Sequence, residues 1–294
     1  MAGTITNYTV GDVLVCFRQA NDMVVDAGQI SAFTSAAANQ RIPITQYTGT
    51  QLAQVGTNSV SWSAFAWLSD NTLFVTRPRT SANVQTAPWA AASSSVQAGA
   101  DGRMATIPPG ALDQLNFDIN PASTPAAVVE EDSSAGNQNY PDGVSYHDAL
   151  TGSYGSDFDG KFQGNPENTT LANFTTSGTP VRSDFYQLTP TSGYALGTWL
   201  GYFELATNGA MTYVAYPSTT PAITSISYSG TTTTVTYTTG LYGTYTLRGT
   251  NSLTSGTPMI GWPAISTLTS GDKATHSMQF TDTNNSEFYI ITAQ

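Results

Sequence analysis

Apolar and polar residues alternate along most of this chain with a period of about two, the spacing of strands that bury one face. Residues 4–10 and 12–18 read as two strands joined at Gly11-Asp12, and Asp22-Met23-Val24-Val25-Asp26 reads as a third. Residues 30–39 and 48–54 carry short helical patterns. Trp62 to Trp67 and Thr72 to Thr76 form a hairpin that turns at Asp70-Asn71. The Ala/Ser-rich stretch 88–98 reads as helix, with Pro88 at an early position. Strands resume at 184–188 and 197–205, and Asn208-Gly209 turns the chain into 211–214.

Between these regions, residues 120–180 lose periodicity and fill with Gly, Asn, Ser and Asp, the pattern of a long loop or insertion. Half of all the acids fall between Asp101 and Asp159, with Arg103 the only base in that span. Residues 217–221 form a short Ser/Thr/Pro linker. Beyond it, strands are expected at 222–229, 232–239, 242–250, 263–269, 274–281 and 286–293, the recurrence of a β-sandwich. Trp262 is the expected anchor between its two sheets. The pattern predicts an all-β fold with a few short helices: a larger β-sandwich-like domain over 1–216 and an immunoglobulin- or fibronectin-III-like sandwich over 222–294.

Composition narrows the function. Only 10% of the residues are charged, against roughly 25% in an ordinary soluble domain. A net charge of −11 argues against nucleic acid, whose phosphates require Lys and Arg. No apolar run is long enough to span a bilayer, for which roughly 18 residues are needed. The single cysteine, Cys16, lies in a continuous apolar run and excludes an intrachain disulfide. The opening residues Met1 to Asn7 have neither a basic nor an apolar signal region. With so little lysine and so much Ser, Thr, Gly and Tyr, the expectation is an exported chain whose signal peptide has been removed, located outside the cell or on its surface.

Two stretches carry a family resemblance. Tyr8-Thr9-Val10-Gly11-Asp12-Val13-Leu14-Val15-Cys16-Phe17-Arg18, followed by Met23-Val24-Val25-Asp26-Ala27-Gly28, resembles the opening of uncharacterised secreted β-rich proteins of environmental bacteria. Trp62 to Trp67, and Phe185-Tyr186-Gln187-Leu188 through Thr198 to Phe203, are similar to later landmarks of the same group. The resemblance implies export and β-structure. It brings no activity with it.

Candidate chemistry is sparse. Asp157, Asp159, Asn165 and Glu167, with Gly160 and Gly164 between them, supply oxygens of the kind that calcium takes. Lys161 interrupts the pattern, and a plain solvated loop is the favoured reading. Glu130-Glu131-Asp132 is a weaker metal candidate, since adjacent carboxylates repel. A glycosidase would need facing carboxylates from among Asp142, Asp148, Asp157, Asp159 and Glu167. Tyr146, Tyr154, Phe158 and Phe162 are candidate platforms for a sugar. His147 and His276 have no zinc spacing, and no nucleophile elbow or phosphate loop occurs.

The expectation is therefore a non-enzymatic, self-assembling subunit of a bacterial fibre, sheath or surface layer. Its partners would be copies of itself, through edge strands at Ile5, Asn7, Tyr8 and Val10 and at Phe288, Tyr289 and Ile290. Head-to-tail contact of unlike surfaces would give an open filament. The alternative is a secreted module that binds extracellular polysaccharide.

Overall fold

The computed structural model describes residues 5–37, 39–56, 59–80, 85–117, 122–131, 145–169, 180–193, 195–215, 222–238, 245–251, 262–268, 275–281 and 288–293. The linker at 217–221, Asp132 and Asp142 lie outside them. β-Structure dominates, with 46% strand and 19% helix. The chain divides into two compact units, Met1–Pro217 and Ser218–Gln294.

The first unit is built on strand β1 (Asp12–Arg18), whose residues Asp12 to Phe17 are all buried. A run such as Val13-Leu14-Val15-Cys16-Phe17 has no solvent face, so the sheet around it must be covered on both sides. β1 lies between β2 (Asn21–Gln29) and β4 (Ser61–Trp67). Outward from β4 come β5 (Leu73–Pro78), β8 (Val181–Leu188), β9 (Thr198–Leu205), β10 (Met211–Ala215) and the edge strand β3 (Arg41–Ile44). On the other side, β6 (Ala127–Glu131) pairs with β2, and the short β7 (Asn168–Thr169) adds to β4. All pairings in this ten-stranded sheet are antiparallel.

The sheet curls around one core. Val13, Val15, Trp62, Ala64, Phe185, Phe203 and Tyr213 point to it, and so do Val129 and Met211 near the two ends of the strand order. Two short helices fill it: α1 (Ile30–Thr34) through Ile30 and Phe33, and α2 (Gly49–Val55) through Leu52 and Val55. A capping box starts α2. Thr48 Oγ1 accepts from Gln51 N, and Thr48 N donates to Gln51 Oε1 at 2.8 Å. The Gln51 amide then donates to Ala122 O and Ala127 O, fastening the helix to the β6 end of the sheet.

The opposite face carries Leu14, Cys16, Val24, Phe65 and Val128. Over it lie α3 (Ser94–Met104), α4 (Ile107–Phe117) and α5 (Tyr146–Thr151), with the loop from 152 to 167. Phe65 makes ring contacts with Tyr146 and Phe158, at 6.1 and 5.2 Å between centroids.

Several expectations are corrected. Residues 5–10 are not a strand: Ile5–Asn7 is a single 3-10 turn, and Ile5 is buried with its N–H on Pro125 O. Tyr8 stacks on Trp67, and Asn7 and Val10 are exposed but belong to no sheet edge. This segment is held by its side chains rather than by a ladder, so the expected edge strand is not formed over the described residues 5–10. The helix expected at 88–98 starts six residues later, at Ser94, and α4, α5, β3 and β6 had no counterpart in the pattern.

Among the described residues, the second unit has six strands, as expected: β11 (Ala222–Ser229), β12 (Thr232–Thr238), β13 (Tyr245–Thr250), β14 (Ala264–Leu268), β15 (Thr275–Thr281) and β16 (Phe288–Ala293). They form two sheets, β11-β12-β15 and β14-β13-β16. Val235, Tyr237, Leu247 and Ile291 make the core between them. Trp262 is half-buried outside that cluster and gives its carbonyl to Arg248, so it is not the anchor. Phe288, Tyr289 and Ile290 are half-buried in β16, with Tyr289 packed on the core and against Phe280.

Gly201 tests how tightly β9 and β10 are joined. At φ 147°, a Cβ there would lie 2.2 Å from Val214 O, a backbone atom that cannot swing aside. Gly201→Ala is expected to destabilise the first unit by about 2 kcal/mol, lowering its melting temperature by roughly 4–8 °C. A melting curve that superimposes on the parent would contradict this account.

Candidate functional site

The densest polar cluster lies between the sheet and the layer over its second face. Arg18 ends β1, and its guanidinium grips Glu167 with two bonds, Nε to Oε1 at 2.7 Å and NH2 to Oε2 at 2.6 Å. Tyr146, the first residue of α5, donates its hydroxyl to Glu167 Oε1 at 3.0 Å and meets Ser63 Oγ at 2.8 Å. Two further carboxylates receive the start of the helix. Glu130 Oε1 accepts from Tyr146 N, and Asp22 Oδ2 accepts from His147 N at 2.6 Å. Acids placed against a helix N-terminus are favoured there by the backbone dipoles.

Sequence positions explain how these groups meet. Arg18 pairs across the ladder with Asp22, and Asp22 with Glu130, so three strands place them in one row. Cys16 sits opposite Ser63 in the same layer. Its thiol is pushed well above the ordinary range by burial first, then by Glu130, Asp22 and Glu167. The Tyr146 hydroxyl is raised for the same reasons, burial and then Glu167. Neither group is set up to ionise. Asp22, Glu130 and Glu167 are all buried, so this cluster ties α5 and the 152–167 loop to the sheet.

The calcium candidates do not form a set. Asp157 Oδ1 accepts from Gly160 N, and Asn165 Oδ1 from Glu167 N. Asp159 caps Ser153 N and Tyr154 N and pairs with Arg103 at 2.6 Å; against the desolvation that raises it, the Ser153 N–H and then Arg103 hold its carboxyl below the usual range. Glu167 belongs to Arg18. Each of these side chains accepts from its own protein donor, in a different place. Among the described residues, no three His, Cys, Asp or Glu gather as a metal would require. Glu130 is a buried helix partner rather than part of an exposed metal turn. The same commitments take up Asp159 and Glu167 as glycosidase candidates, while Asp148 lies half-buried inside α5.

The aromatic candidates separate. Tyr146 and Phe158 are fully buried, so they are core residues and present no face to a sugar. Phe162 is half-buried, edge-on to Trp89. Tyr154 is 77% exposed, with Lys161 Nζ 5.7 Å from its ring centre. Phe162 and Lys161 also line a pocket of about 280 Å³ with Leu73, Ala90, Val96 and Leu188.

The pattern gave no sign of a second buried ionic knot. Arg79, nearly inaccessible itself, binds Asp184 Oδ1 through Nε at 3.0 Å, while Asp184 Oδ2 accepts from Thr86 N at 2.7 Å. Arg79 and Arg182 both lie against the ring of Tyr202, and Glu204 bridges Arg41 and Arg182.

Asp26 lies outside these ion pairs. Its Oδ1 accepts from Gly28 N, but Oδ2 is buried without a partner, as is the hydroxyl of Tyr8. Burial pushes the Asp26 carboxyl up to about 6, helped by Asp12 and opposed by the Gly28 N–H.

Two outcomes follow from these charges. Arg18→Met strands Glu167 in the interior and is expected to destabilise the fold by about 3–5 kcal/mol, whereas Arg18→Met with Glu167→Leu recovers much of that loss. Equal destabilisation of the single and double variants in urea titrations would refute the pairing. For Asp26, the folded chain retains a proton that the unfolded chain releases near pH 4. Stability therefore falls as pH rises from about 4 to 6, and the full penalty persists above that window. Asp26→Asn is expected to gain about 1–2 kcal/mol at pH 7–8 and to lose the advantage below pH 4; a pH-independent difference would contradict the assignment. Compared with family models, curated proteins and solved structures, the chain matches none.

Proposed function

We propose that this chain is an extracellular structural protein that assembles with copies of itself into a fibre, sheath or surface layer. The observation that carries this reading is the outward face of the sheet β11-β12-β15. Its cross-strand rows are Ser225, Thr236 and Ser277; Ser227, Thr234 and Gln279; and Ser229, Thr232 and Thr281. No charge interrupts them. Thr236 and Ser277 already bond hydroxyl to hydroxyl at 3.0 Å. Such a face can exchange water for a neighbour's hydroxyls without stripping an ion of its hydration, which is the costly step in burying charge. In the first unit, Arg18, Arg79, Arg103 and Arg182 are meanwhile each paired with a carboxylate.

One observation favours a second reading, a carbohydrate-binding or adhesive module. Tyr154 presents an open ring beside a cation and a pocket. A polysaccharide pull-down that is lost in Tyr154→Ala would support it.

Sedimentation velocity at rising protein concentration tests the preferred reading. Larger species are expected to accumulate, and to persist or strengthen as salt screens the net charge of −11. Thr234→Lys with Thr236→Lys is expected to reduce them without changing the melting temperature. A single monomeric boundary at the highest concentration would sink the reading.

A further inference from the structure

We propose that β11 docks a second copy of this chain, pairing antiparallel with its own counterpart about a two-fold axis at Ser227; this rests on the self-association reading above and gives that association a register. Among the described residues, β11 is hydrogen-bonded to β12 on one side only. Proteins commonly block such an edge with charge, proline or a covering element. The first unit does so at its edge strand β3, which contains Arg41 and Pro43. From Ala222 to Ser229, β11 has neither charge nor proline.

The strand also carries apolar side chains that the sandwich leaves uncovered. Val235 and Tyr237 face the core, and β11 sets Ile226 opposite Val235 and Tyr228 opposite Thr233, so both point to the core side. Yet Ile226 is 38% and Tyr228 63% exposed.

Backbone geometry selects the partner's register. The Gly230-Thr231 turn, with Gly230 at φ 62°, closes on the Ser229–Thr232 pair, which directs the polar groups of Ser229, Ser227 and Ser225 toward β12. Ile226 and Tyr228 then turn their N–H and C=O groups to the open side. A second β11 must bond to these two residues. Centred on Ser227, Ile226 faces the partner's Tyr228, with a reciprocal pair of backbone hydrogen bonds on each side of the axis. β-Branched and aromatic residues make favourable cross-strand pairs. On the other face, Ser225 meets the partner's Ser229, which extends the hydroxyl rows across the join. A centre at Ile226 would instead use Thr224, where the register shift between Ile223 and Ser225 breaks the ladder. A centre at Tyr228 would run into the turn.

Disulfide trapping in the full chain reads this register even where the pairing is weak. On the axis, the two Ser227 Cα atoms would be about 4.5 Å apart, within disulfide reach. Ser227→Cys should give a linked dimer under mild oxidation, while the parent, whose Cys16 is buried, should not. Ser225→Cys alone should stay unlinked, since its copies would be roughly 13 Å apart. Ser225→Cys with Ser229→Cys should link, and Ile226→Lys should abolish linking by Ser227→Cys. Linking by Ser225→Cys as readily as by Ser227→Cys would mean random collision and overturn the proposal. If Ser227→Cys stays unlinked while the parent still sediments as larger species, this edge is wrong and self-association stands. A parent that is monomeric throughout, with no linking, removes both.

Discussion

Burial of β1 on both faces is the constraint from which the first unit follows. Most antiparallel sheets keep one face in water, and their strands alternate accordingly. From Val13 to Phe17 there is no polar position to turn outward. The sheet therefore needs two separate covers. The inner one is supplied locally, by α1 and α2 directly after β2 and β3. The outer one comes from far along the chain. The contact between Arg18 and Glu167, residues 149 apart in sequence, is one of the bonds that tie it to the sheet.

That contact also explains how a chain with few charges uses them. Arginines 18, 79, 103 and 182 are each paired with a carboxylate of the first unit. A guanidinium suits this role because its planar fork matches a carboxylate with two bonds and is weakly hydrated. Buried pairs of this kind add little net stability compared with apolar side chains of the same size. They do penalise wrong arrangements, since a misplaced loop would leave a bare ion inside. Asp26 has no such partner, and it is the acid whose proton affinity rises most clearly.

The sequence pattern was legible where local chemistry decided the outcome. Asp70-Asn71 and Asn208-Gly209 turn where expected, with Asn71 at φ 63° and Gly209 at φ 82°. The strands of the sandwich begin and end close to the predicted positions because alternation and turn residues agree there. Helix α4 was hidden because it opens Ile107-Pro108-Pro109-Gly110, which reads as a breaker, although prolines are tolerated in a first turn where no N–H is needed. Ile5 misled in the opposite direction: its alternating neighbourhood suggested a strand, while a buried contact with the β6 end of the sheet decided its conformation. The polar cluster had no local signature at all. Tyr146 and Phe158 lie among glycines and acids, the composition of an exposed loop, and it is long-range contacts, with Phe65, Ser63, Glu130 and Glu167, that hold them in the core.

Removing ions from the outer surface changes what can specify a contact. Charged surfaces choose partners by long-range sign complementarity and repel copies of themselves. Hydroxyl rows have no sign, so they attract weakly in many registers. Specificity must then come from elements that are wrong in every register but one. A row of serines slides against its copy with little change in energy, whereas Ile226 and Tyr228 interrupt the far side of the same strand with side chains that lose burial on any shift. A one-residue slip would set backbone groups that already bond to β12 against the neighbour. The hydroxyl face supplies tolerance to water, and the two apolar residues supply the register. Because an axis through Ser227 closes the pair, growth beyond two copies requires a second, unlike contact, and in an open filament that contact would set the rotation between successive pairs.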